Sequence, residues 1–208
     1  MLQDNFSELE KTRLEKIMRM RARGIEPYPT RAQRTATTTE AIRAYEAAEA
    51  SGSTEPVTCT LAGRLRSIRN MGKLIFAHIE DAEGKVQLLF RLDELGEEKL
   101  AYFKDDCDLG DFVQASGSMF RTKRGEVTLL VEDFAMLAKA LYQLPPDKDE
   151  VVDGKVVRHA LVSDPETRFR QRYVDLAVNP EVRETFRLRT ETVRALRKYL
   201  DERGVREV

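Results

Sequence analysis

Leu74-Ile75-Phe76-Ala77-His78-Ile79-Glu80, the turn Asp81-Ala82-Glu83-Gly84, and Lys85-Val86-Gln87-Leu88-Leu89-Phe90 form the stretch whose reading decides the fold. Apolar and polar residues alternate through the first run, the signature of a half-buried strand. A turn containing Asp and Gly follows, and the second run returns as the other arm of a hairpin. Parity places Ile75, Ala77 and Ile79 on one face with Val86, Leu88 and Phe90 beside them. Phe76, His78, Glu80 and Gln87 are left on the other face, with Gln87 opposite or diagonal to Phe76. An aromatic ring in the polar row needs a reason.

Upstream, Val57, Cys59, Leu61, Gly63 and Leu65 alternate with Thr58, Thr60, Ala62 and Arg64, which predicts a strand. Downstream, Leu92 to about Asp106 has helical spacing through Leu95, Leu100 and Phe103. After Leu109-Gly110-Asp111, a fourth strand carries Phe112, Val113, Ala115, Gly117 and Met119, and the turn at Lys123-Arg124-Gly125 returns as Val127, Leu129 and Val131. Three strands, a helix and two strands, with Gly63 and Gly117 where a small barrel must bend, give the element order of the OB-fold. The expected class is mainly β with added helices: a five-stranded OB barrel over 55–141 that could fold alone.

A helical appendage is expected over 1–54. Ser7 with Glu10 and Thr37 with Glu40 are capping-box pairs. The first helix ends near Gly24, and the Ala-rich second stops at Ser51-Gly52-Ser53. Lys11, Arg13, Lys16, Arg19, Arg21 and Arg23 interleave with Glu8, Glu10 and Glu15, which reads as ion pairing along the helix. Residues 142–178 read as a polar linker. Over 179–208, Asn179-Pro180 opens an amphipathic helix whose stripe is Val182, Phe186, Val193, Leu196 and Leu200, with Gly204 as its stop and a strand-like end.

Composition removes several function classes. Cys59 and Cys107 lack any C-x-x-C partner, and the two histidines, His78 and His159, stand far apart, so zinc, disulfide and triad chemistry have little material. No apolar run approaches the roughly 20 residues of a membrane span, and the first thirty residues are highly charged, so a cytoplasmic location with no membrane partner is expected. The 208 residues carry 35 basic and 36 acidic side chains, so net charge does not speak for nucleic acid. Its distribution does. Arg64, Arg66, Arg69 and Lys73 fall around the first inter-strand loop, and Arg121, Lys123 and Arg124 around the fourth, the two loops that rim an OB groove. With Phe76 as a stacking platform and Gln87 as a base-edge reader, the outer face of strands two and three suits single-stranded RNA. The alternatives are a Phe76 covered by an N-terminal helix, an ordinary surface amide and solvated surface charges.

Several runs carry a resemblance: Gly63-Arg64 to Arg69, Met71-Gly72-Lys73 with Phe76, Val86-Gln87-Leu88, and Thr122-Lys123-Arg124-Gly125-Glu126. Together they resemble the anticodon-binding domain of class II aminoacyl-tRNA synthetases of the lysine, aspartate and asparagine group. Arg168-Phe169-Arg170-Gln171-Arg172-Tyr173-Val174-Asp175-Leu176 and Gly24-Ile25-Glu26-Pro27-Tyr28-Pro29 are similar to segments of the lysine branch. Asn70 departs from a position usually apolar.

The resemblance implies that Phe76 stacks on the central anticodon uridine, that Gln87 and Arg69 bond its edge, and that Glu126 contacts the first anticodon base or caps a turn. Arg64, Arg66, Lys73, Arg121, Lys123 and Arg124 would contact the phosphate backbone. It implies lysine tRNA as partner, no DNA, and ATP with Mg2+ as cofactors of the complete enzyme. The helix from Pro180 would be either a homodimer element or a simple packing helix. Gly204 to Val208 resembles the start of motif 1, while motifs 2 and 3 are absent from these residues, so the 208-residue species is expected to hold no catalytic residue, bind no cofactor and bind tRNA without forming an adenylate. The other readings are a stand-alone OB module, such as a synthetase paralogue, that holds tRNA or single strands, and a structural scaffold.

Overall fold

The structure is a computed structural model that describes residues 6–142, 144, 148–152, 155–159, 162 and 164–206. It divides into two units, residues 1–143 and 144–208. In the first, α1 (Glu8–Ala22) and α2 (Thr38–Ala50) precede β1 (Thr58–Asn70), β2 (Leu74–Glu80), β3 (Lys85–Arg91), α3 (Leu92–Leu95), α4 (Glu97–Asp106), β4 (Phe112–Arg121) and β5 (Val127–Ala138). Both capping boxes form, with Ser7 accepting from the Glu10 N–H and Thr37 from the Glu40 N–H. The strands close into a barrel in the order β1-β2-β3-β5-β4, antiparallel except for the β3–β5 pair.

Inward parity is as the alternation predicts. Ile75, Ala77, Ile79, Leu88 and Phe90 are fully buried, with Leu61, Leu65, Val113, Leu129 and Val131 from the other strands. The single helix expected between the third and fourth strands is two, because Gly96 at φ 84° divides α3 from α4. α4 sends Phe103 onto Phe90 with ring centroids 3.9 Å apart, and Phe134 meets both rings edge-on. Such pairs contribute about 0.5–1.5 kcal/mol each beyond their buried area. Gly117 marks the tightest approach in the barrel: a Cβ there would stand 1.9 Å from the Leu130 carbonyl oxygen.

β1 is longer than the alternation suggests. It runs on to Asn70, with a register shift that pairs Leu65 with Ile79 and then Ser67 with His78. Arg66 is the extra residue of this bulge, so parity reverses and Ser67 takes the place on the outer face that Arg66 would otherwise fill.

The cations of α1 are not mainly paired along the helix. Lys11 pairs with Glu8, but Lys16 reaches Asp108 at 2.7 Å, and Arg19 and Arg23 both bond the buried Asp106. Arg13, only 3% exposed, donates to the carbonyls of Ala140 and Leu109. These bonds clamp α1 to the barrel. Burial pushes the Asp108 carboxyl upward, but hydrogen bonds from Lys139 and Lys16 outweigh it and hold the group below its ordinary range. Tyr28, in the segment after α1, donates its hydroxyl to the Lys139 carbonyl at 2.9 Å.

The second unit contains more structure than a linker and one helix. β6 (Lys148–Val152) and β7 (Lys155–His159) form an antiparallel pair, followed by α5 (Pro165–Arg170), α6 (Arg172–Val178) and α7 (Pro180–Asp201). Asp164 caps α5 by accepting from the Thr167 N–H. The buried Asp175 holds Arg168, Arg172 and Asn179, which ties the turns before α7 together. Leu188, Val193, Leu196, Tyr199 and Leu200 leave α7 with an exposed apolar stripe. The expected strand-like end falls partly on Glu207 and Val208, outside the described residues; Val205 and Arg206 are not in a strand. No described helix is long and apolar enough to cross a membrane.

Candidate nucleic-acid interface

The outer face of β2 and β3 forms the floor of an open cleft of about 830 Å³. Strand register builds that floor. His78 pairs with Gln87 and Phe76 with Leu89, so Gln87 lies diagonal to the Phe76 ring. Parallel pairing of Gln87 with Thr128 brings β5 alongside, and Phe120 at the end of β4 adds a second aromatic wall. The loops after β1 and β4 supply Met71, Lys73, Thr122, Lys123, Arg124 and Glu126. None of the lining residues comes from α1 or α2, so neither of these two helices lies over Phe76.

Phe76 is half-buried, and the Arg69 guanidinium stands 5.4 Å from its ring centroid. That spacing is within cation–π range, so the cation and the π face are held as one surface. Gln87 is 5% exposed and fully engaged on one side. Its Nε2 donates to Glu126 Oε2 at 2.6 Å, and Thr128 Oγ1 donates to its Oε1 at 3.0 Å. One N–H and one oxygen lone pair of the amide remain for a ligand. Glu126 also bonds His78 Nε2 at 2.9 Å through its other oxygen, and the turn beneath it closes by Thr122 N–H donating to the Glu126 carbonyl.

Arg69, Phe76, Gln87 and Glu126 therefore share one cleft, with Lys73, Lys123 and Arg124 at its edge. The other three expected phosphate contacts are directed elsewhere. The loop after β1 is only residues 71–73, so Arg64 and Arg66 are strand residues, not loop residues. Arg64 packs over the Phe112 ring at 4.4 Å, and burial, with Arg66 nearby, lowers its pKa. Arg66 pairs with Glu80 at 2.9 Å. Arg121 holds Glu49 of α2 and donates to the Gly125 carbonyl, so it braces the loop after β4. Arg91, absent from the sequence reading, lines the cleft, giving five basic residues there against Asp93 and Glu126. The local field favours an anionic ligand although the barrel segment as a whole does not.

His78, Leu89, Phe120 and Thr128 were not marked as site residues by sequence. The outward parity that marks Phe76 also marks His78 on β2, and the same argument on β4 reaches Phe120. No group of His, Cys, Asp and Glu suited to a metal ion occurs among the described residues. Burial pushes the Cys59 thiol up to about 11 and Cys107 well above the ordinary thiol value, which disfavours the nucleophilic thiolate of both at neutral pH.

Residues 59–137 match the OB-fold nucleic acid binding domain model of the tRNA anticodon type, and residues 164–208 match the class II tRNA synthetase (D, K and N) model. The lysine–tRNA ligase of Roseiflexus castenholzii is 47% identical over 204 residues, which are 98% of this chain and 39% of that protein. The lysine–tRNA ligase of Carboxydothermus hydrogenoformans is 41% identical over 98% of this chain and 38% of its own length. That of Thermoanaerobacter pseudethanolicus is 40% identical over 99% and 38% respectively. The chain spans about two-fifths of the length of these curated relatives.

Proposed function

We propose, for a chain that belongs to the lysine–tRNA ligase family of class II synthetases, that its barrel recognises the anticodon of lysine tRNA. The observation that carries this reading is the convergence of a half-exposed Phe76, a partly committed Gln87 amide and the Glu126 carboxylate in one basic-edged cleft. A base stacked on Phe76 meets the free N–H and free lone pair of Gln87 along its edge. Uracil presents acceptor oxygens and an N3–H donor there, the complement of what the amide has left. Arg69, held against the Phe76 ring, adds a donor and a positive charge over the stack.

Lys73, Lys123 and Arg124 stand where backbone phosphates would follow a base entering the cleft, so they supply affinity without sequence preference. Glu126 first positions Gln87 and second offers its remaining lone pairs to a neighbouring base N–H. In the whole ligase, the reaction would activate lysine with ATP and Mg2+ and pass it to the tRNA, with catalytic groups from parts of the relatives beyond the matched region. The apolar stripe of α7 suits a homodimer contact, and a cytoplasmic site of action fits this role. Binding of an anticodon stem-loop to wild type and to Phe76→Ala tests the reading. A loss of about 5- to 150-fold, the usual worth of one base stack, is the expected result. Unchanged affinity contradicts it.

A further inference from the structure

We propose that His78 is a positioning residue that locks the orientation of the Gln87 amide, and that this lock sets the choice between uracil and cytosine. The inference rests on the anticodon-reading role of the cleft. Its basis is a continuous hydrogen-bond chain across four strands. Ser67 Oγ lies 2.8 Å from His78 Nδ1, and His78 Nε2 lies 2.9 Å from Glu126 Oε1. Glu126 Oε2 accepts from Gln87 Nε2, and Gln87 Oε1 accepts from the buried Thr128 hydroxyl.

With His78 neutral, the donors and acceptors in this chain leave one consistent arrangement. A carboxylate only accepts, so His78 must carry its proton on Nε2 and Gln87 must turn its NH2 toward Glu126. Nδ1 of neutral His78 then accepts from the Ser67 hydroxyl. The bulge in β1 makes this possible, because without Arg66 as the extra residue that arginine, and not Ser67, would stand opposite His78. Arg121 supports the same loop by donating to the Gly125 carbonyl, whereas His78 bonds the Glu126 carboxylate itself, at the oxygen that Gln87 leaves free.

The lock matters because uracil and cytosine present opposite patterns. Where uracil has an N3–H donor and a 4-oxo acceptor, cytosine has an N3 acceptor and a 4-amino donor. A glutamine free to rotate by half a turn matches both. In this cleft, rotation would set Gln87 Oε1 against Glu126 Oε2, two acceptors at hydrogen-bond distance, and the NH2 against Thr128. Glu126 enforces the orientation only while it stays in place, and its side chain is about half exposed at the end of a loop. His78 supplies the anchor from β2.

The test uses the full chain and two anticodon stem-loops that differ by U or C at the central position. His78→Ala is expected to reduce the preference for U about tenfold, the worth of one hydrogen bond to a charged group, with the salt dependence of binding unchanged. His78→Gln, whose amide can donate over a similar reach, restores most of the preference. Nitrogen-15 NMR of the free wild-type chain should show the Nε2–H tautomer of His78, and Glu126→Ala should shift the Nε2 resonance by removing the acceptor of its proton. A U preference unchanged in His78→Ala, or an Nδ1–H tautomer in the wild type, overturns the inference. If Phe76→Ala weakens binding while His78→Ala leaves the U-to-C ratio alone, only the role of His78 fails. If the wild type shows no U preference and Phe76→Ala binds normally, the anticodon reading falls and the inference falls with it.

Discussion

Replacing Gln87 by Glu exchanges an NH2 for an oxygen at almost constant shape, and the structure dictates the cost. The Gln87 Nε2 sits 2.6 Å from Glu126 Oε2, so the variant sets two carboxylates face to face. Two unit charges about 4 Å apart repel by about 4 kcal/mol at an effective dielectric of 20 and about 1 kcal/mol in water. Glu126 has a side chain 48% exposed and can lean toward solvent, which reduces the penalty to about 2 kcal/mol. For a domain of this size the melting temperature then falls by roughly 5–10 °C. The pH dependence has a definite sign. Crowding raises the folded-state pKa of the carboxylate pair above the ordinary glutamate value of about 4.3. Proton uptake therefore relieves the variant at pH values below about 4.3, and the full penalty is present once the pH has risen through the raised value. Thermal melts of wild type and Gln87→Glu at pH 4 and pH 8 measure it: a small difference at pH 4 and a large one at pH 8 is expected. Equal melting at pH 8 would refute the facing of the Gln87 amide toward Glu126.

Lys123→Ala should weaken binding of all RNA hairpins by a similar factor and lower the salt slope by about 1, because Lys123 stands at the cleft edge and not on its base-reading floor; a change in U-to-C preference, measured by titration at several salt concentrations, would contradict this. Gly117→Ala forces a Cβ to 1.9 Å from the Leu130 carbonyl, so β4 and β5 must part. A loss of roughly 3 kcal/mol or failure to fold is expected in urea unfolding, and a neutral result would refute the close approach. Asp81 accepts from the N–H groups of Thr38, Glu83 and Gly84 and from the Thr38 hydroxyl. Burial raises its pKa, but these bonds outweigh it and hold the carboxyl below the ordinary value. Its contribution is thus present above about pH 4 and lost as the pH falls through the lowered folded value, so Asp81→Asn should cost about 1–2 kcal/mol at pH 7 and nothing further near pH 2. Denaturant midpoints at the two pH values check the sign.

The barrel was legible because each strand faces a closed core, and one buried face writes itself into alternation. The same parity exposed Phe76 and Gln87 as outer-face residues. What escaped were features set by single residues or by distant partners. The bulge at Arg66 changes neither composition nor local polarity, yet it sets Ser67, and not Arg66, opposite His78. The cations of α1 had glutamates at helical spacing, but their partners Asp106 and Asp108 lie about ninety residues along the chain and meet α1 only when the barrel closes. The β6–β7 pair had a signal in Asp153-Gly154, a two-residue hairpin sequence, but its flanking runs are short and rich in charge. Asp164-Pro165 likewise marks the start of α5. Parity puts His78 on the outer face, but only its register opposite Gln87 gives it a role.

The central claim is that the cleft over Phe76 and Gln87 reads an anticodon base. Titrating the chain with a UUU anticodon stem-loop, and with the same hairpin carrying C at the central position, at physiological salt tests it most directly. The account predicts tighter binding of the U hairpin, with the difference abolished by Gln87→Leu. Equal, salt-sensitive binding of both hairpins would contradict it.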